Sequence, residues 1–194
     1  MKESPSLPAN FEGQRWQWLS FFWGLAEATC FFIVPDVLTS RMVLTNPRRA
    51  LHACLASLAG ALLGGALLYS SGANLALRTQ LLAGMDWLPG ISTDLIEKAR
   101  LGLETHGLAA LFVGVLGGIP YKLYAVQAAE FVPGFTSFLL VSSIARFARF
   151  LLVTLFAHFV STRLLPNLSA AAKLRIHTLT WAGFYLIYFL RMGL

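Results

Sequence analysis

Apolar residues run along this chain in long blocks separated by short breaks of Pro, Gly or charge, a pattern that predicts helices joined by turns. Residues 1–15 are polar, contain Pro5, Pro8 and Gly13, and read as a loose tail. An apolar stretch follows from Trp16 to Val34, interrupted by Gly24 and Glu27 and stopped by Pro35 and Asp36. Residues 45–49 form a turn followed by charge, and Ala50 to Tyr69 then carries no formal charge. That run is long enough to cross the ~30 Å hydrocarbon core of a bilayer as a helix. Its Gly60, Gly64 and Gly65 have the small-xxx-small spacing that lets a neighbouring helix approach closely.

Residues 70–106 are the most polar part of the chain. Within them, Leu95, Ile96, Ala99, Leu101 and Leu103 predict an amphipathic interfacial helix over 93–103, capped by Ser92, Thr93 or Asp94. A second short apolar run, 107–119, is broken by Gly114, Gly117, Gly118 and Pro120. Residues 121–131 continue it with Lys122 and Glu130, and Pro133-Gly134 closes it. Phe135 to Phe159 is a full spanning helix that nevertheless contains Arg146 and Arg149. Pro166-Asn167 is a break, Lys173 and Arg175 are interfacial, and 178–190 is a last apolar helix. The chain thus divides into a tail (1–15), a membrane domain (16–165) and a C-terminal helix (166–194).

The two halves share one grammar: a short Gly-interrupted run, a proline (Pro35, Pro120), a basic residue soon after (Arg41, Lys122), then a long helix. Breaks of this kind expose backbone N–H and C=O groups, which lipid cannot satisfy, so they survive only where protein or water covers them. Paired breaks in corresponding halves point to a midplane binding site; ordinary proline kinks or loop ends are the alternative. The expected fold is an all-α polytopic membrane protein: two re-entrant helical hairpins in an inverted repeat, with about three spanning helices.

Composition agrees. Hydrophobic residues make up 57% of the 194 positions and charged residues 12%, too few polar groups to cover a small water-soluble domain. The net charge of +6 suits an anionic membrane face. Nucleic acid is an unsuitable partner, because the basic residues are scattered between apolar runs without a basic arm. Two basic loops, one with Arg41, Arg48 and Arg49 and the other with Arg163, Lys173 and Arg175, would lie together and face the cytoplasm. Cys30 and Cys54 lie in apolar runs with no CxxC or His/Cys pairing, and His52, His106, His158 and His177 fall in no HExxH or His/Asp cluster. No metal, cofactor or catalytic group is therefore expected. The first apolar run, which carries Glu27 and lacks a small-x-small site, does not read as a cleavable signal peptide.

Arg146 and Arg149 are three apart, on one helix face near the middle of their run, where snorkelling is least effective. Glu27, Asp36 and Glu130 are their candidate partners. Two guanidinium groups at mid-depth suit a phosphate; snorkelling or purely structural ion pairs are the competing explanations.

Gly118-Ile119-Pro120-Tyr121-Lys122-Leu123-Tyr124-Ala125-Val126, Phe138, and Ser143-Ile144-Ala145-Arg146-Phe147-Ala148-Arg149-Phe150 resemble the second-half signature of the DedA superfamily, also called the SNARE-associated or VTT domain, and most of all its YqaA-type branch. Glu27 ahead of Pro35-Asp36, and Gly60, Gly64, Tyr69 and Gly72, resemble its first half, so the likeness spans roughly residues 24–159. The resemblance implies facing re-entrant hairpins in a bacterial inner membrane and transport or scrambling of lipids, such as phospholipids or undecaprenyl phosphate, sometimes coupled to protons. It implies substrate binding by Lys122, Arg146 and Arg149, proton coupling by Glu27 and Asp36, and re-entrant loops at Pro35 and at Gly117, Gly118 and Pro120. Membrane lipids are the expected partners, with a homo-oligomer possible. The sequence departs from the pattern at Ala145 in place of glycine, at Ala128-Ala129, at the added acid Glu130, and at Gly117 where other branches carry arginine. A structural or partner-binding membrane protein is the rival reading, and a lipid-processing enzyme a more distant one.

Overall fold

The structure, a computed structural model, describes residues 9–132 and 134–192. Every regular element among them is helical. In chain order these are α1 (Ala9–Thr29), α2 (Asp36–Val43), α3 (Pro47–Gly72), α4 (Leu75–Met85), α5 (Thr93–His106), α6 (Ala110–Gly117), α7 (Tyr121–Phe131), α8 (Phe135–Phe159) and α9 (Ala170–Met192). A 3-10 turn (Gly107–Ala109) precedes α6, and α8 runs on into a π-turn (Val160–Leu164).

Local chemistry sets most of these boundaries. Asn46 opens α3 by accepting the Arg49 amide on its side chain, with Pro47 in the first helical position. Asn74 opens α4 and Ser92 opens α5 in the same way. Four expectations change. The predicted tail lies outside the described residues as far as residue 8, and from Ala9 it is already the first turns of α1. Residues 75–85, read only as polar chain, form α4. The amphipathic helix extends to His106, and Leu101 is exposed, off the face on which Ala99 and Leu103 are buried. Lys173 and Arg175 lie in α9 itself, which begins eight residues before the predicted 178. Pro133 lies outside the described residues.

Two helices, Pro47–Gly72 and Phe135–Leu164, are long and apolar enough to cross a membrane. The composition of α3 is reversed relative to a helix on a water-soluble core. Its inward positions are small (Ala53, Ser57, Gly60, Ala61, Gly64), while Leu51, Leu55, Leu63 and Leu67 point outward. Small inward residues let backbones touch. A Cβ on Gly24 of α1 would strike the Ser57 carbonyl, and one on Gly60 of α3 would strike that of Phe21. The outer faces of α8 and α9 are likewise apolar, through Leu140, Ile144, Leu152, Leu179 and Leu190.

The arms pack crosswise. The first arm of each broken pair lies on the long helix of its own half, α1 on α3 and α6 on α8. The second arm reaches the long helix of the other half, α2 on α8 and α7 on α3, and α2 lies on α3 as well. Cys54 of α3 meets Thr154 of α8 at 3.4 Å, so the start of α3 and the end of α8 share one end of the molecule. That end gathers Arg41, Arg48, Arg49, Arg163, Lys173 and Arg175, and the chain has no Asp or Glu between 37 and 85 or after 130. The opposite end carries charges of both signs, among them the Asp94–Lys98 and Glu97–Arg100–Glu104 contacts of α5.

Candidate functional site

The breaks between α1 and α2 and between α6 and α7 lie against each other, and their backbone groups are satisfied by different means. In the first, residues 30–35, help comes from distant side chains. Lys122 donates to the Phe31 carbonyl at 2.6 Å, Trp23 Nε1 to that of Ile33 at 2.9 Å, and the Val34 amide donates to the Tyr185 hydroxyl at 2.8 Å. The second, residues 118–120, is closed locally. Gly118 takes a left-handed conformation (φ +75°) that any side chain would strain, and the Ile119 amide returns to the Gly114 carbonyl at 3.1 Å. Each break ends in a helix N-terminus, α2 at Asp36 and α7 at Tyr121, which carries partial positive charge.

The charged residues read from sequence converge here. Glu27 and Arg146 form an ion pair with both side chains almost fully buried, at 6% and 2% exposure. The Arg146 guanidinium also sits over the Tyr121 ring, 4.4 Å from its centroid, and 5.1 Å from that of Phe150. It therefore does not snorkel. Arg149 pairs with Asp36 at 2.8 Å, but asymmetrically, with the carboxylate 1% and the guanidinium 25% exposed. Glu130 is not part of this cluster. It pairs with Arg78 of α4 at 3.1 Å on the molecule's surface, so its expected partnership with the α8 arginines is corrected. α7 places it at the far end from Lys122, eight residues and two turns away.

A cavity of about 340 Å³ lies between the two breaks, within the range that holds a small ligand or headgroup. Glu27, Lys122 and Arg149 line it, together with Gly118, Pro120 and the aromatic side of α9 (Phe184, Tyr185, Tyr188). Pro35, Asp36 and Arg146 stand behind its wall, all buried. Gly117 is the last residue of α6, exposed and outside the lining, so the turn expected at Gly117-Gly118 is carried by Gly118.

The sequence did not reveal Trp23, Tyr185 or a hydrogen-bonded cluster below Asp36. There the Ser40 hydroxyl donates to the Asp36 carbonyl, while His177 Nε2 (2.8 Å) and Trp181 Nε1 (3.2 Å) meet the Ser40 oxygen. The only sequence signal was the density of aromatics over 181–189, which stack along one side of α9.

No family model matches the chain, and no solved structure matches it. Over 172 residues it is 28% identical to an uncharacterized protein of Haemophilus influenzae, a likeness that covers 85% of this chain and 81% of that protein.

Proposed function

We propose that the protein is a membrane-embedded translocator of an anionic, phosphate-bearing lipid, built like a DedA-type protein with two re-entrant hairpins in an inverted repeat. The observation that carries this reading is the cavity between the breaks, lined by Lys122 and Arg149 and backed by Arg146. Lys122 and Arg149 would bind the headgroup phosphate, with Arg149 moving between Asp36 and the ligand. Asp36 would take up a proton as Arg149 turns to the phosphate and release it when Arg149 returns, and Glu27, which lines the cavity, is the second candidate for proton exchange. The exposed apolar faces of α3, α8 and α9 support the membrane setting. The crosswise packing of the arms supports the inverted repeat. The predominance of Arg and Lys at the basic end supports a multi-pass bacterial inner-membrane topology with that end in the cytoplasm.

Among the described residues Ser40 and His177 lie within hydrogen-bond distance, and the Ser40 hydroxyl also meets the Asp36 carbonyl and the Trp181 indole N–H, contacts that suit a hydroxyl held in place as a structural tie between α2 and α9.

The test is reconstitution into liposomes containing a fluorescent anionic phospholipid, followed by dithionite quenching of the outer leaflet. Wild-type protein should speed exchange between leaflets. Arg149→Gln keeps a donor for Asp36 but removes the charge, and should abolish the acceleration. A folded Arg149→Gln protein working at the wild-type rate would remove the basis for this reading.

A further inference from the structure

A second cavity, of about 210 Å³, lies at the basic end between the close of α8 and the start of α9. Three observations define it. Its walls are apolar, formed by Val153, Ala157, Val160, Leu165 and Ile176. It sits where α8 gives up regular geometry: the Leu165 amide donates to the Val160 carbonyl five residues back, at 3.0 Å. Such π-turns are rare and concentrate at functional positions. Lys173 is the one formally charged residue among those that line it, and Arg41, Arg163 and Arg175 stand on neighbouring turns of elements that carry no acidic residue beyond Asp36.

The volume is below the ~300–1,000 Å³ that enclose a whole small molecule, and the apolar walls suit a stretch of hydrocarbon chain better than a polar headgroup. The surrounding charge is of one sign, so the amphiphile that brings the chain is anionic. We infer that this cavity is a chain-binding site for an anionic lipid of the cytoplasmic leaflet, with the lipid phosphate at Lys173. It is separate from the cavity at the helix breaks. Between the two lie Ser40, whose hydroxyl is held by His177 and Trp181, and the Asp36–Arg149 pair. The inference rests on the membrane setting proposed above and not on translocation.

Photolabelling of the full chain in liposomes tests it. The probe is a lysophosphatidate with a diazirine at the end of its acyl chain, compared with the same chain on phosphocholine, and labelled peptides are mapped by mass spectrometry. The phosphate probe should label residues 153–165 and 176–181. Lys173→Glu should lower that labelling about tenfold, with the phosphocholine signal unchanged. Ile176→Trp, at a half-exposed position where a larger ring fills the cavity, should remove the labelling in both forms. If the outer leucines of α3 are labelled while the cavity residues stay bare, or Ile176→Trp leaves the cavity labelling intact, this inference falls alone. If no helix is labelled, α3 included, the membrane setting falls with it.

Discussion

The two buried ion pairs both end on α8, one from Glu27 of α1 and the other from Asp36 of α2, and they are built for different work. Glu27–Arg146 is closed except where Glu27 edges the cavity: carboxylate and guanidinium are both almost inaccessible, and two aromatic rings cover the cation. Asp36–Arg149 is half open, with a buried acid and a cation that reaches the cavity. A sealed pair in a low-dielectric interior cannot lose one member without stranding the other charge. A half-open pair can exchange its partner for water or for an anion of similar charge. Arg146 therefore holds α1 and α8 together, and Arg149 is the arginine that faces the cavity.

This contrast orders the expected effects. The largest should follow Arg146→Ala, which leaves Glu27 buried and unpaired at a cost of about 3–5 kcal/mol. Thermal unfolding in detergent micelles should show a large fall in midpoint or no folded species, and a wild-type melt would break the comparison at its stronger side. Arg149→Ala should cost less, about 1–3 kcal/mol, because cavity water can reach the vacated position. If it destabilises more than Arg146→Ala, the distinction between sealed and open pairs is wrong. Tyr185→Phe leaves the Val34 amide without its acceptor, a loss of about 1 kcal/mol. Faster hydrogen exchange at Val34 and its neighbours should report it, and unchanged protection there would show that another group satisfies the break. Glu130→Gln sharpens the lower limit. Its pair with Arg78 is 43% and 14% exposed, so the melt should move by less than about 1 kcal/mol.

What the sequence revealed, and what it hid, follows from the range of each interaction. The ends of α7 and α8 match the predicted residues because local groups set them: Pro120 at one start, Gly134 at the other, and no Pro or Gly inside either helix. The glycines of α3 announced a close helix neighbour because small residues at that spacing have little other use, and α1 occupies the place. Glu130 was given the wrong partner because spacing along a chain does not tell which of several cations a carboxylate will face. Residues 75–85 looked like polar chain because Arg78 breaks their apolar pattern; its charge is matched by Glu130, 52 positions away. Trp23, Tyr185 and His177 were invisible for the same reason. Each satisfies or meets a group made needy by a break elsewhere, and nothing near it in sequence records the need.

The contact between α1 and α3 also fixes where this molecule can yield. Where Gly24 and Gly60 bring main chain against main chain, there is no layer of side chains to act as a bearing, and rotamer changes cannot accommodate sliding. α1 and α3 must therefore travel as one stiff plate. α9 is the opposite case: none of its residues with described side chains is fully buried, and it is fastened by a handful of hydroxyl, imidazole and indole contacts. It also forms a wall of both cavities. Compliance in this fold is concentrated in α9, so a displacement that changes access to either cavity costs least when that helix swings against the plate.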